Sequence, residues 1–452
     1  MTARWPRCST SLLLSARIVA VLLTALALTA SLALVAPAEA RVERPQRKGL
    51  GFDTCTAPSQ RAMNAWHRSS QFSAVGIYIG GVNRACSQPH LTRTWVRKQR
   101  ANGWRLLPLV VGRQAACSPR GWYKGKRISA KVAGDYAKAK RQGAAAARGA
   151  VRAAKRLGIP RRHVLWFDLE AFDTSRTHCR RSALRFVSAW SKALHRRGYR
   201  SGLYSSASTM VAFDRARRLG VGRAPDRIWF AHWNGKARAA SRYLSRHGWK
   251  LRRVHQYRGP HRERHGGVRI EIDSNYFALG RHVPGRRLRC GVRIGFEDYR
   301  VLRKGAEGRQ VHAARCLVGQ RPKAGKGGRP SRAAVKRFTA PYNTRLAKAV
   351  RTVQRRHPAL RATGVVGPRT WLVLLSRGPR PVLKYGASGP SVRRVQRAFN
   401  AVLVRDVRID GVFGKPDIRA ATAYQKRVGI KPSGVVNTAT WRALQRGRVG
   451  RR

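Results

Sequence analysis

The residues best placed to do chemistry are Asp168 and Glu170, which close the run Val164-Leu165-Trp166-Phe167-Asp168-Leu169-Glu170. Four apolar residues leading into two acids spaced i, i+2 read as a buried strand. Alternation along such a strand places both carboxyl groups on one face, with their Cα atoms about 6.5–7 Å apart. Neighbouring carboxylates raise each other's pKa unless their environments differ. Such a pair is costly in a core and suited to acid–base work. The chain has 18 Asp and Glu against 96 Lys and Arg in 452 residues, so two scarce acids at the end of one hydrophobic strand are informative. The alternative reading is that both serve structural pairs with nearby arginines.

The segments on either side supply a scaffold for these acids. Strands are expected at 50–54, 74–81, 106–111, 164–170, 201–205, 227–233, 253–257 and 269–275, from short apolar runs bounded by turn residues. Helices are expected between them at 60–68, 91–101, 130–157, 182–197 and 208–219, with a short one at 237–247. Eight strands alternating with helices over some 235 residues is the arithmetic of an α/β fold, a TIM-like (β/α)8 barrel. The last crossover is too short for a full helix. Asp53, Asp168, Glu170, Tyr204, His232, Gln256 and Asp273 then fall at or near the C-terminal ends of their strands, the rim where active sites of such barrels sit. Trp229 and Trp233 lie near the same rim; for Trp229 core packing is the stronger reading.

The N-terminus has a basic start, an apolar run from about residue 18 to 35 and then Ala38-Glu39-Ala40. This reads as a secretory signal peptide over 1–40, with an uncleaved membrane anchor as the alternative. Six of the seven cysteines lie beyond it. An even number in an exported chain suggests disulfides. Cys55–Cys86, Cys117–Cys179 and Cys290–Cys316 are the expected pairs, because the members of each fall in neighbouring segments. No Cys/His cluster has zinc-ligand spacing, so neither a metal nor a cofactor is expected. The net charge of +78 suits a densely anionic partner, with an anionic wall polymer or nucleic acid as the two classes. The basic residues are spread along the chain and no nucleic-acid-binding motif occurs, so no specific nucleic acid partner is expected.

Gly51-Phe52-Asp53, Phe167-Asp168-Leu169-Glu170, Gly202-Leu203-Tyr204, Trp229 to Trp233, His255-Gln256-Tyr257 and Asp273-Ser274-Asn275 occur in an order that resembles the Chalaropsis-type lysozymes of glycoside hydrolase family 25. Gly51-Phe52-Asp53-Thr54-Cys55 and Ile77-Tyr78-Ile79-Gly80-Gly81 resemble more closely a sister group, a glycoside-hydrolase-like domain of unknown function in exported bacterial proteins. The resemblance covers residues 49–280 and implies a barrel with catalytic acids Asp53, Asp168, Glu170 and Asp273. Glu170 would be the general acid. Asp168 would orient a substrate N-acetyl group acting as internal nucleophile, one of the exceptions to the two-carboxylate scheme. Substrate-binding positions would be Tyr204, His232, Trp233, Gln256, Tyr257 and Asn275.

Past residue 285 the composition changes and an internal duplication begins. Val301-Leu302-Arg303-Lys304-Gly305-Ala306 matches Val382-Leu383-Lys384-Tyr385-Gly386-Ala387, and Thr363-Gly364-Val365-Val366 with Thr370-Trp371 matches Ser433-Gly434-Val435-Val436 with Thr440-Trp441. Each copy reads as a small three-helix unit. The second resembles the peptidoglycan-binding domain 1 family, which implies binding positions Asp410, Gly411, Phe413, Gly414, Gln425 and Trp441. The first lacks the Asp-Gly-x-Phe-Gly turn and carries a Lys/Gly/Pro-rich insertion at 319–330. The expected domains are 48–283 (barrel), 290–378 (degenerate repeat) and 380–447 (peptidoglycan-binding domain). The expected function is that of a secreted, monomeric cell-wall protein, free of the membrane after cleavage. It would bind peptidoglycan and hydrolyse a wall glycan in the manner of an N-acetylmuramidase. A catalytically inactive glycan-binding protein is the alternative.

Overall fold

The computed structural model describes residues 46–119, 126–280, 292–320, 332–403 and 407–450. The expected signal peptide, Cys290 and most of the 319–330 insertion lie outside them. Eight strands close into a barrel in sequence order: β1 (Lys48–Asp53), β2 (Phe72–Gly80), β3 (Arg105–Val111), β4 (Val164–Asp168), β5 (Arg200–Ser206), β6 (Arg227–Ala231), β7 (Arg253–His265) and β8 (Val268–Ala278). Five helices pack outside: α1 (Gln60–Ser69), α2 (Arg93–Ala101), α3 (Ala133–Arg156), α4 (Thr177–His195) and α5 (Ala207–Arg218). Trp166, Trp229, Leu107, Leu109, Val254 and Phe277 belong to one buried apolar cluster, and a second, larger one holds Phe52, Trp66, Phe167, Phe186 and Trp190. Among the described residues no helix is long and apolar enough to cross a membrane.

Two features depart from the expected alternation. β8 runs antiparallel to both β7 and β1, because β7 continues past the rim and returns through Gly266-Gly267 as a hairpin. Asp273 is therefore reached as β8 enters the barrel, not as it leaves. The hairpin lies along α1, where Trp66 Nε1 donates to Val268 O at 3.0 Å. The helix expected at 237–247 is also absent. The buried Arg253 guanidinium donates instead to Ala239 O (3.2 Å), Ser245 O (2.6 Å) and Gly248 O (2.9 Å), and Asp214 accepts from Ser245 N at 2.9 Å. Tertiary hydrogen bonds thus claim the carbonyls a helix would use.

The C-terminal repeat comprises α6 (Arg309–Leu317), α7 (Arg332–Thr339), α8 (Thr344–Arg355), α9 (Pro368–Ser376), α10 (Pro390–Asn400), α11 (Lys415–Arg427) and α12 (Thr438–Gln445). The duplication is a duplication of hydrogen bonds. Gln354 donates to Val365 O and Thr370 Oγ1 and accepts from Gly364 N. Gln425 does the same with Val435 O, Thr440 Oγ1 and Gly434 N. Tyr342 exchanges backbone bonds with Gly305 and Ala306 as Phe413 does with Gly386 and Ala387. The first unit thus keeps the frame of the second, with Tyr342 standing for Phe413.

The second unit docks on the barrel end opposite the rim. Lys384 is buried, donates from Nζ to His67 O (2.9 Å) and Phe72 O (2.8 Å), and lies over the Trp104 ring. Its counterpart in the first unit, Arg303, is exposed. Gly386 sits against the start of β1 at φ +84°, and a Cβ there would fall 2.1 Å from Lys48 O. Gly305 has φ +88° with nothing within 4 Å. Gly305→Ala is therefore expected to carry only the left-handed strain of about 1–2 kcal/mol, whereas Gly386→Ala adds a backbone clash and should cost clearly more. Denaturant unfolding of the two variants checks this.

Candidate active site

The barrel brings the sequence-predicted acids to one place. Asp53 ends β1 and pairs across the sheet with Asp273 of β8. Asp168 ends β4 beside Tyr204 of β5. Gly76, next to Asp53 on β2, makes room, since a Cβ there would lie 2.5 Å from the Asp53 Cβ and 2.9 Å from the Trp229 ring.

Two amides organise the carboxyl groups, and indole donors fix their orientation. Trp229 Nε1 donates to Asn275 Oδ1 at 2.7 Å, which turns Asn275 Nδ2 to donate to Asp53 Oδ1. Gln256 Oε1 accepts from Tyr204 OH and Trp233 Nε1, both at 3.1 Å. Its Nε2 therefore faces the acids, donating to Asp273 Oδ2 at 3.1 Å and to both Asp53 oxygens at 3.3 Å. Asp273 Oδ1 is buried and accepts no hydrogen bond from the described residues.

Burial pushes the Asp53 carboxyl up to about 6, against the opposing hydrogen bonds from Asn275, Gln256 and Tyr78. Burial, with the charges of Asp53 and then Glu170 beside it, pushes Asp273 up to about 8. The Tyr204 hydroxyl is pushed well up by burial and then by Glu170, Asp168, Asp53 and Asp273, so all four acids act on one phenol that stays a donor. Tyr78 is raised in the same way by burial and then by Asp53, Asp168, Tyr204 and Asp273.

A raised carboxyl pKa means that the folded state holds its proton where the unfolded chain has lost it. Stability is then fully present below the unfolded value near 4 and falls as pH rises towards the folded value. For Asp273 that window runs from about 4 to about 8. Asp273→Asn keeps an acceptor for Gln256 and does not titrate. Its melting temperature is expected to drop less than that of the wild type between pH 5 and pH 8, which thermal unfolding of both at the two pH values measures.

β4 ends at Asp168, so Glu170 stands two residues into the loop and is half-buried. Strand alternation therefore does not place Glu170 on the face of Asp168. What places it is Gln114, which donates to Asp168 O at 2.8 Å and accepts from Glu170 N at 2.8 Å. Neither Gln114 nor Tyr78 was identified from the sequence. Both are single polar residues in or after an apolar run, with no partner close in sequence to mark them.

Among the expected substrate-binding residues, Tyr204 and Gln256 contact the acid cluster or its scaffold, and Trp233 is 62 % exposed beside them. Asn275 is fully buried, so it positions Asp53 and does not touch substrate directly. Tyr257 follows the inward-facing Gln256 and turns to the other face of β7, where its hydroxyl meets Ser274. His232 is held by Asn234 at 3.0 Å and by the edge of Tyr243, not by the acids.

The residues expected to bind peptidoglycan form the frame of the second unit. Phe413, Gln425 and Trp441 are fully buried, and Trp441 Nε1 donates to Pro381 O at 2.7 Å. Asp410 accepts from Gln396 Nε2 and Val412 N, Gly411 N donates to Gln396 Oε1, and Gly414 N donates to Asp417 Oδ2. These bonds hold the turn, and Asp410 stays exposed at its corner. Cys55–Cys86 and Cys117–Cys179 are both formed, and Cys316 is disulfide-bonded.

A closed barrel with acids at its rim is joined to a duplicated helical region, and both parts are similar to known domains. Residues 64–277 match the Rv2525c-like, glycoside hydrolase-like domain, and residues 388–444 match the putative peptidoglycan binding domain. An uncharacterized protein in the bpoA1 3' region of Kitasatospora aureofaciens is 32 % identical over 65 residues, 14 % of this chain and 55 % of that protein. The chain thus spans about half the length of this curated relative. Among solved structures, an uncharacterized B. stearothermophilus protein is 23 % identical, covering 51 % of this chain and 95 % of that one with a TM-score of 0.32. The modular autolysin LytC of Streptococcus pneumoniae is 11 % identical (51 % and 46 %, TM-score 0.32), and the spore cortex lytic enzyme SleM of Clostridium perfringens is 10 % identical (53 % and 69 %, TM-score 0.35).

Proposed function

We propose that this is an exported cell-wall glycosidase: a barrel (48–283) that hydrolyses peptidoglycan as an N-acetylmuramidase, held at its polymer by a weaker repeat (290–378) and a binding domain (380–447). The observation that carries this is the cluster in which Gln256 bridges Asp53 and Asp273 and accepts from Tyr204, the neighbour of Asp168, at the rim of a barrel that matches a glycoside hydrolase-like domain. Tethering raises the local concentration of the barrel at its substrate.

In this reading Glu170 gives its proton to the glycosidic oxygen as that bond breaks. The carbonyl oxygen of the substrate N-acetyl group closes on the anomeric carbon, and Asp168 orients the amide and stabilises its developing positive charge. Water then attacks the same carbon, giving its proton to Glu170 and reopening the ring. Asp53 and Asp273, raised and bridged by Gln256, keep negative charge from accumulating beside Asp168, and Trp233 offers a flat apolar face to a sugar. Borohydride reduction of the products tests the linkage. A new reducing end on muramic acid is expected, and one on glucosamine overturns the muramidase assignment.

A further inference from the structure

Where the hairpin tip of the barrel meets the second C-terminal unit, a cleft of about 290 Å³ opens. Three distant segments wall it: Ser69 at the end of α1, Arg264, His265, Gly266 and Gly267 at the tip, and Lys431 with Ser433 from the unit. Besides the bonds from Lys384, hydrogen bonds beside the cleft join the two bodies, among them one from Tyr385 N to Gln71 Oε1 at 2.8 Å. Gln71 Nε2 donates to Ser433 O, and Asn437 Nδ2 donates to Arg68 O. The tip is seated closely, since a Cβ on Gly266 would fall 2.9 Å from Ser69 Oγ. Among the described residues no carboxylate lines the cleft, Glu263 lying behind it on the lining His265 at 2.8 Å, while Arg264 and Lys431 enter from the two bodies.

We propose that this cleft is a composite binding site for a carboxylate of the peptidoglycan peptide stem, made jointly by the barrel and the binding domain. It deepens the wall-binding reading above and rests on it. The size, at the lower edge of the roughly 300–1,000 Å³ of ligand pockets, suits a terminus or short side group. The sign argues for an anion. The neighbouring unit matches a peptidoglycan-binding domain, and in that polymer the glycan backbone is neutral whereas the peptide-bearing substituent carries the carboxylates. A guanidinium and an ammonium converging on one carboxylate form charge-assisted hydrogen bonds. Because the chain has 96 basic residues, the test separates the cleft from general attraction.

The full chain, the Arg264→Gln/Lys431→Gln double variant and a charge-matched Lys138→Gln/Arg215→Gln control, both of whose sites are exposed on outer helices, are titrated against intact peptidoglycan and against peptidoglycan stripped of its peptides, with the lactyl carboxylates that stripping exposes capped as amides. The first variant is expected to lose roughly tenfold or more in affinity for the intact polymer, the order of one charged contact, and to match the control on the stripped one. Equal losses in variant and control, equal losses on both polymers, or no loss overturns the cleft assignment. A variant that loses affinity only for a phosphate-bearing wall polymer overturns the carboxylate assignment. A wild type that binds neither peptidoglycan overturns the wall-binding reading and the cleft with it.

Discussion

Glu170→Gln is expected to lower glycan hydrolysis by about 10²–10⁴-fold, the span set by loss of a positioned general acid, with folding and wall binding nearly unchanged. Glutamine keeps the size and the backbone N–H that Gln114 holds but has no proton to give. Glu170 suits the acid role because it stands at the rim, half-buried, with Asp168 two residues away on the strand end. Asp53 is nearly fully buried and held by Asn275 and Gln256, so it is less able to reach a glycosidic oxygen. Hydrolysis rate and wall affinity measured on the same preparation check the split. A variant that retains the wild-type rate removes Glu170 from the acid role.

The second large effect concerns the Cys117–Cys179 bridge. It ties the loop after β3 to the first turn of α4 across 62 residues. That span includes Asp168 and Glu170. Closing a loop of that length removes chain entropy from the unfolded state worth about 4 kcal/mol. Cys117→Ser/Cys179→Ser is therefore expected to lose stability of that order in denaturant unfolding. The loop carries Gln114, which sets Glu170, so turnover of the folded variant should also fall. Cys55–Cys86 closes only 31 residues and its loss should leave the site geometry closer to wild type. A double variant as stable as wild type would show that the unfolded chain is already constrained there.

Much of the scaffold was legible because the signals were local and periodic. The apolar runs gave all eight strands, and glycines gave the helix ends. The reversal of β8 had a signal as well: no helix fits between Gln256 and Ile270, and Gly266-Gly267 is a hairpin turn. At the site the acids were legible because they are scarce, and alternation after Gln256 already turns Tyr257 outwards. Gln114 was not legible, because a glutamine that bridges two backbone groups 54 and 56 residues away leaves no local pattern. The same limit applies to Lys384, whose partners lie more than 300 residues upstream. In the second unit, the motif residues Phe413, Gln425 and Trp441 mark a frame, since a sequence motif records what must be kept whether for packing or for binding.

The most direct measurement is the appearance of reducing ends when the wild-type protein is incubated with purified peptidoglycan between pH 4 and pH 9. The account predicts a time-dependent rise above both the buffer and the Glu170→Gln variant. Wild-type traces that stay flat at every pH, with the protein folded and bound to the polymer, would contradict it and leave a barrel that recognises glycan without cutting it.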